Sequence, residues 1–598
     1  MSAQSPNHPA SRDLVWPMLG LISIAFHLWL VFSGLVPNLV SRPIHLMLAI
    51  PWILMAPGRS TAATLSGWLL GLAGLTAAAW VAFNESPLGD QYGALVGSGQ
   101  IMMAVVLLVC VLEMARRSIG WPLPLVAALA LAYGLLGEHV PGEFGYAGMP
   151  LASFLGTLTI AEGGIWGSLT GVSVGIVAIF VIFGAVLNAG EAGQGFMNLA
   201  AAAAGHLRGG AGKVSVISSA LFGSISGSAS ANVASTGAIT LPAMTRLGYP
   251  RRLAGAIEAV ASSGGQIMPP LMGAGAFVMV ELTGVPYTGI MAAALLPAVL
   301  YFAAVWIGID AYALRLGLAS LPAEQRPSLK AVALTTSFFL FPFATLLWGM
   351  FVSEHTPQYA ACLAILVGAL LLLTGSDLRF DARRTASRLV AAARTAGQQI
   401  AVIASIILCA SIIVGVLGMT GLGVKVTSVI LSLSGASLWP ALLLTALACM
   451  LLGMEVPTTA AYVICVSVAG PALTSLGLEP LQTHLFVFWF ALLSTITPPV
   501  CGAVFIAAGM VEENWLKVAG TAMKLGIGLY LIPLGMIANP DLIALDAHPF
   551  WALLAMAKVG AGLALVSYGL IAARLWFRQW SFVLGGLVLL FLPLHGTA

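Results

Sequence analysis

Two short stretches rich in Gly, Ser, Pro and Thr cut apolar segments at what should be membrane depth: Gly223–Asn232 (GSISGSASAN) and Gly453–Thr459 (GMEVPTT). Each is followed by a second interruption that contains a Pro-Pro pair. In hydrocarbon an unsatisfied backbone group costs several kcal/mol, so irregular chain survives there only where protein buries it or where it lines a cavity. The interruptions are therefore where function is expected.

The membrane setting follows from composition. Of 598 residues, 60% are hydrophobic and only 8% are charged, against about 25% charged in soluble domains. Mean hydropathy is +1.01, which excludes a water-soluble globule and implies a polytopic helical membrane protein. The net charge of +3 comes without a Lys/Arg-rich polar run, so nothing points to nucleic acid. The six cysteines lie in apolar segments without CxxC spacing and read as small packing residues.

Hydropathy predicts spans near 15–36, 64–84, 97–115, 121–137, 168–188, 287–312, 333–352, 357–375, 398–418, 520–537 and 550–572. Two shorter segments, 43–56 and 580–595, are marginal spans. With both included, most basic residues fall on one side, among them Arg116, Arg117, Arg208, Lys213, Arg251 and Arg252. The opposite loops hold Arg42, Lys425 and most loop acids. The positive-inside rule makes the first side, and the N-terminus, cytoplasmic. The segments 214–243 and 438–470 then enter and return from opposite sides, as an inverted-topology repeat produces.

Spacing supports a repeat. Ser228 and Pro457 are 229 residues apart, and so are Pro269 and Pro498. Related strings follow each hairpin: SSGGQIMPPLMGAGAF (Ser262 to Phe277) and STITPPVCGAVF (Ser494 to Phe505). Such interruptions offer hydroxyls, amides and freed carbonyls, and the helix ends facing them add partial charge. Neutral oxygens suit a hard monovalent cation, with sodium the first guess, whereas zinc or iron calls for His, Cys or carboxylate ligands.

At these residues the chain becomes recognisable. SGSASANVASTGAITLPAM (Ser226 to Met244), GYPRRLAGAIEAVASSGGQIMPP (Gly248 to Pro270), GMEVPTTAAYV (Gly453 to Val463) and HLFVFWFALLSTITPPV (His484 to Val500) closely resemble the large membrane subunit of tripartite ATP-independent periplasmic (TRAP) transporters, in the TAXI-type branch. The resemblance covers roughly 120–540, and the four-helix stretch before it looks like the small membrane subunit fused in front. It implies a secondary transporter of the bacterial inner membrane. A periplasmic TAXI-type substrate-binding protein would deliver a small carboxylate-type solute, moved inward by an elevator motion with sodium as coupling ion and no other cofactor. The implied fold is all-α, with inverted repeats, two re-entrant hairpins, two discontinuous helices and an N-terminal four-helix part.

Carried over position by position, one cation site uses Ser226, Gly227, Ser228 and Asn232 with Gly264, Gly265 and Met268. The other uses Gly453, Pro457, Thr458 and Thr459 with Thr495, Thr497 and Pro498. The implied parts are a small-subunit-like 1–118, a first repeat 119–320, scaffold helices and an amphipathic connector 321–396, a second repeat 397–544, and C-terminal segments 545–598 without an assigned role.

Several polar residues bear on the coupling ion. Glu455, at the second hairpin tip, either tunes charge or takes up a proton. Glu258 follows Arg251 and Arg252 by six to seven residues and is expected to pair with a cytoplasmic-side cation as a static anchor, with a place in the ion path as the alternative. Glu281 reads as interfacial, and His484 as a polar helix end. The stretch Asp381–Arg394 reads as an amphipathic helix lying in the interface. The alternatives are a proton-coupled transporter of the same family and a stand-alone sodium/carboxylate symporter of related fold. An enzyme is disfavoured, because Ser226 and Ser228 lack a nearby base and GSISG is not the GxSxG elbow.

Overall fold

The computed structural model describes residues 14–57, 60–573 and 575–592. Arg12 and Arg59, which the same charge pattern puts on the cytoplasmic side, lie outside them, as does the side chain of Glu455. The described chain is helical throughout, without a β-strand, and eleven helices are long and apolar enough to cross a membrane. A twelfth span arises if Trp515–Leu525 and Ile527–Ala538, bent by 41°, count as one. The marginal 43–56 emerges as Asn38–Met55, a full 18 residues. Its two basic side chains are bonded internally: His45 bonds to His27 at 2.8 Å and to Ser173 at 3.0 Å, and Arg42 donates to the Trp166 carbonyl. Arg42 therefore belongs to a helix and is buried, instead of marking a loop. The marginal 580–595 gives Trp576–Phe591, 16 residues, shorter than a span.

Two compact units are present: Met1–Glu191 with Phe341–Thr420, and Ala192–Leu340 with Gly421–Ala598. The first is organised around Ala382–Thr420, a single 39-residue helix against which Val15–Phe32, Asn38–Ile50, Gly97–Ile119 and Pro122–Leu136 all pack. Small residues allow the approach: a Cβ on Gly20 would lie 2.0 Å from the Ala393 carbonyl oxygen. The stretch 381–394 is thus no separate interfacial helix, and the expected boundary at 396/397 falls inside continuous helix. Its early arginines are paired, Arg384 with Asp377 at 3.1 Å and Arg388 with Glu191 at 2.7 Å, which removes the reason for a break.

In the second unit, helix limits recur at the 229-residue offset. Ala229–Arg246 and Thr458–Ser475 correspond at both ends; Arg251–Ser263 with Pro480–Leu493, and Gly273–Thr283 with Gly502–Val511, correspond at their starts; Gly210–Ser226 with Leu438–Glu455 corresponds at its end. In each half a pair of helices forms a hairpin, and both of its arms pack on the next helix, Arg251–Ser263 or Pro480–Leu493. The short helix after each Pro-Pro interruption then crosses over. Gly273–Thr283 packs on Thr458–Ser475 and Pro480–Leu493, while Gly502–Val511 packs on Ala229–Arg246 and Arg251–Ser263.

Beyond the second half, Asp310 joins the base of the first hairpin to Pro549–Ile571. Its carboxylate accepts from Lys213 at 2.8 Å, Arg208 at 2.7 Å and the Tyr568 hydroxyl at 2.8 Å.

Candidate functional site

The first hairpin turns at Gly227, whose φ of +57° is the left-handed conformation that glycine adopts without a Cβ penalty. Ser228 then starts the returning arm in extended backbone, its hydroxyl accepting from the Ala231 N–H at 3.3 Å as an N-cap. The Ser228 N–H reaches the Ser226 Oγ at 3.5 Å. Pressed against this turn is the start of the helix beyond the Pro-Pro pair, since a Cβ on Gly227 would lie 2.6 Å from the Gly273 Cα.

The second hairpin breaks by different means. Val456 and Pro457 are both extended, as the residue before a proline tends to be, and Pro457 opens the returning arm by accepting from the Ala461 N–H at 2.9 Å. Thr458 and Thr459 form its first turn and are half-buried.

Between arm and interruption the backbones touch. A Cβ on Gly223 would lie 2.1 Å from the Gly265 Cα, and one on Gly265 would lie 2.9 Å from the Asn232 Nδ2. Asn232 is fully buried, and its amide donates to the Ser219 carbonyl at 2.9 Å and the Ser262 carbonyl at 3.2 Å. The side-chain oxygen accepts from the Thr236 hydroxyl at 3.4 Å. Gly264 lies under the Tyr301 ring, 2.4 Å from where its Cβ would be. The Met268 carbonyl accepts from the Met272 N–H at 3.3 Å.

The first residue set therefore separates into a tip cluster of Ser226, Gly227 and Ser228 on Gly273, and a stem cluster of Asn232 and Gly265 on Gly223.

In the second set, a Cβ on Gly453 would lie 2.5 Å from the Ser494 Oγ. Thr495 donates to the Ser263 hydroxyl at 2.9 Å, which ties the second interruption directly to the first. Sequence reading assigned Thr495 to the second site alone; Ser263 was missed because the contact joins residues 232 positions apart. Thr497 bonds to the Leu493 carbonyl and to Tyr530, each at 2.7 Å. Both Pro-Pro bonds, Pro269–Pro270 and Pro498–Pro499, are cis. Tyr287 donates to the Pro270 carbonyl and anchors the first.

Helix C-termini at Ser226, Ser263 and Leu493 and N-termini at Ala229, Thr458, Gly273 and Gly502 border these interruptions, so both signs of helix-end charge are available. No cluster of three or more His, Cys, Asp or Glu side chains forms among the described residues. Among the described side chains of the two residue sets the oxygens are neutral, the kind that suits a hard monovalent cation.

Other expectations are settled by contact. Glu258 does not pair with Arg251 or Arg252. It is bound by four hydroxyls, and Arg251 pairs instead with Glu512 at 3.6 Å. Seven residues of helix separate two side chains by roughly 10 Å of rise, beyond the reach of an i,i+4 pair. Glu281 is exposed in the last full turn of its helix. His484 bonds to the Tyr462 hydroxyl at 2.7 Å.

Residues 106–551, about three-quarters of the chain, match the family described as tripartite ATP-independent periplasmic transporter, DctM component. The C4-dicarboxylate TRAP transporter large permease protein of Pseudomonas aeruginosa is 26% identical over 56% of this chain and 76% of its own length. The 2,3-diketo-L-gulonate TRAP transporter large permease protein of Escherichia coli is 24% identical over 62% and 85%. The sialic acid TRAP transporter large permease protein of Vibrio cholerae is 22% identical over 67% and 92%.

Proposed function

Because the chain belongs to the DctM component family of TRAP transporters, we propose that it imports a carboxylate-type solute driven by a sodium gradient. TRAP permeases are secondary transporters that sit in the inner membrane and work with a periplasmic substrate-binding protein. For this chain the partner is a TAXI-type binding protein, the residues before 119 act as the fused small subunit, and the N-terminus is cytoplasmic. The names of the three relatives above each specify an acid, which supports a carboxylate as cargo.

The observation that carries this reading is the pair of helix–interruption–helix units, repeated at one offset and hydrogen-bonded to each other through Thr495 and Ser263. Two such units from opposite sides of the membrane give alternating access as one hairpin-bearing body slides, an elevator motion. Sodium is bound by carbonyl and hydroxyl oxygens of the two residue sets, and the solute lies between the tips. One charge crossing 100 mV is worth about 2.3 kcal/mol, and about 1.4 kcal/mol is tenfold in concentration. Two cations per cycle hold a gradient of order a thousandfold for a neutral load, without nucleotide.

Uptake of a panel of labelled carboxylates tests this, using vesicles that contain the full chain together with its candidate binding protein. A sodium gradient alone drives accumulation, and uptake without the binding protein is absent. Ser228→Ala and Thr458→Ala each raise the sodium concentration for half-maximal uptake about tenfold, one lost charge-assisted contact. Accumulation driven by a proton gradient with no sodium present overturns the coupling. Sodium dependence unchanged in both variants overturns the site.

A further inference from the structure

The first hairpin encloses a carboxylate with no ion-pair partner among the described residues. Glu258 is fully buried, and both its oxygens are taken: Oε1 accepts from Thr236 and from Ser262 at 3.2 Å, Oε2 from Thr240 and from Ser215 at 2.8 Å. These hydroxyls come from both arms of the hairpin and from the helix of Glu258 itself.

The charged groups on the surrounding elements are engaged elsewhere or form no ion pair with it. On the entering arm, Lys213 is held by Asp310. Arg251, on the same helix, is held by Glu512, and Lys517 by Glu513 at 3.6 Å. On Tyr287–Leu316, Tyr301 donates to the Val260 carbonyl and Arg315 to the Ile571 carbonyl. Arg246, Arg252 and Lys524 form no ion pair with Glu258, and Tyr249 and Tyr312 no hydrogen bond to it.

We propose that Glu258 reversibly binds a proton delivered through the cavity that ends at Thr240, which makes the first hairpin a titratable element. This goes beyond the sodium reading and does not depend on it. Three observations carry the proposal.

The cage is built for either protonation state. A hydroxyl both donates and accepts, and two of these have a second acceptor in reach: Thr236 Oγ1 is 2.8 Å from the Asn232 carbonyl and Thr240 Oγ1 is 3.0 Å from the Thr236 carbonyl. When Glu258 is ionised, the hydroxyls donate to it. When a proton from cavity water binds Oε2, the new O–H donates to the Thr240 oxygen, and Thr240 turns its own hydrogen to the helix carbonyl. The proton leaves by the reverse step, and no other bond changes. An unpaired buried carboxylate costs several kcal/mol, whereas four O–H donors favour the ionised form; the two tendencies oppose each other at this position.

Access is provided. A cavity of about 430 Å³ has Thr240 and Val214 on its inner wall and Gln194, Glu324 and Gln325, all exposed, at its mouth.

The hairpin plan does not require the cage. At the 229-residue offset, Ser215, Thr236, Thr240, Glu258 and Ser262 correspond to Leu444, Cys465, Ala469, Val487 and Ala491. The second half builds the same hairpin on the same helix with apolar side chains at every one of these positions. A buried acid retained where the architecture needs none is a functional group.

Infrared difference titration of the purified full-length protein in lipid nanodiscs, from about pH 4 to about pH 9, tests the proposal without any solute. The expected result is a protonated-carboxyl C=O band that disappears as pH rises, is missing in Glu258→Gln, and is indifferent to sodium. In Thr240→Val, loss of one donor to the carboxylate raises proton affinity about tenfold and moves the midpoint up by about one pH unit. The same titrating band in Glu258→Gln, no band in the unaltered protein, or displacement of the band by sodium, which would mark a metal-cation site, overturns the proposal. If Glu258→Gln does not fold, Thr236→Val and Thr240→Val decide, and an unmoved midpoint in both refutes it. Because no transport is measured, this outcome is independent of the sodium-uptake experiment.

Discussion

The two halves of the hairpin-bearing unit share helix limits to the residue at several positions, yet reach the same backbone by different chemistry. The first tip turns on a left-handed glycine with a serine cap; the second is kept extended by a proline. In the stem of the first, Asn232 straps arm to helix and Gly223 lies on Gly265. In the second, the corresponding positions are Ala461, Leu452 and Ser494, and Gly453 meets Ser494 instead. What the halves have in common is thus what the hairpin plan demands: an interruption, a helix to pack on, and a crossing helix beyond the prolines. What differs is available for other work, and the larger share of the buried polar side chains sits in the first half.

Three sets of substitutions probe this contrast. The largest effect is expected for Gly265→Ala, where the new Cβ would sit 2.5 Å from backbone that cannot rotate away. Overpacking of this kind costs about 3 kcal/mol, read as a lowered unfolding temperature of the purified protein in detergent. Ser494→Ala, at the equivalent place in the second half, should change little; equal losses in the two variants would erase the distinction drawn between the stems.

Next comes Asn232→Ala. It leaves two buried carbonyls, those of Ser219 and Ser262, without the amide that bonds them, at about 2 kcal/mol. An unfolding midpoint unchanged in Asn232→Ala would mean that the first half is no more dependent on polar strapping than the second.

Thr497→Val should cost about 1 kcal/mol through loss of the Tyr530 hydrogen bond. Tyr530→Phe should match it, with the double variant no worse than either alone, as a double-mutant cycle on one contact requires. Additive losses would show that the two hydroxyls act separately.

Much of this plan was legible in the chain. Interruptions announce themselves because Gly, Ser and Pro within apolar runs have no other reason to be there, and the offset of Ser228 to Pro457 already placed the second half on the first. The setting of Glu258 was not legible. Its four hydroxyl partners come from three segments separated by turns, and the nearest charges in sequence, Arg251 and Arg252, lie seven and six residues away, which invited a pairing the geometry refuses. Asn38–Met55 was undervalued for a related reason: Arg42 and His45 lower its hydropathy, and only the fold shows that Arg42 donates to Trp166 and that His45 bonds to His27 and Ser173. The run from 382 to 420 looked divisible because arginines usually mark an interface, but Glu191 and Asp377 neutralise them and the helix continues.

The exchange of the short helices beyond the prolines has a consequence for biogenesis. Gly273–Thr283 packs on helices that begin only at Thr458, about 175 residues later in synthesis. At about 5–20 residues per second this leaves the early segment waiting roughly 10 to 35 s. Through that interval the nascent first half presents an unsealed flank to lipid and to the insertion machinery. Neither half can reach its final packing before the other has left the ribosome, so maturation of this unit is a late, mutual closure.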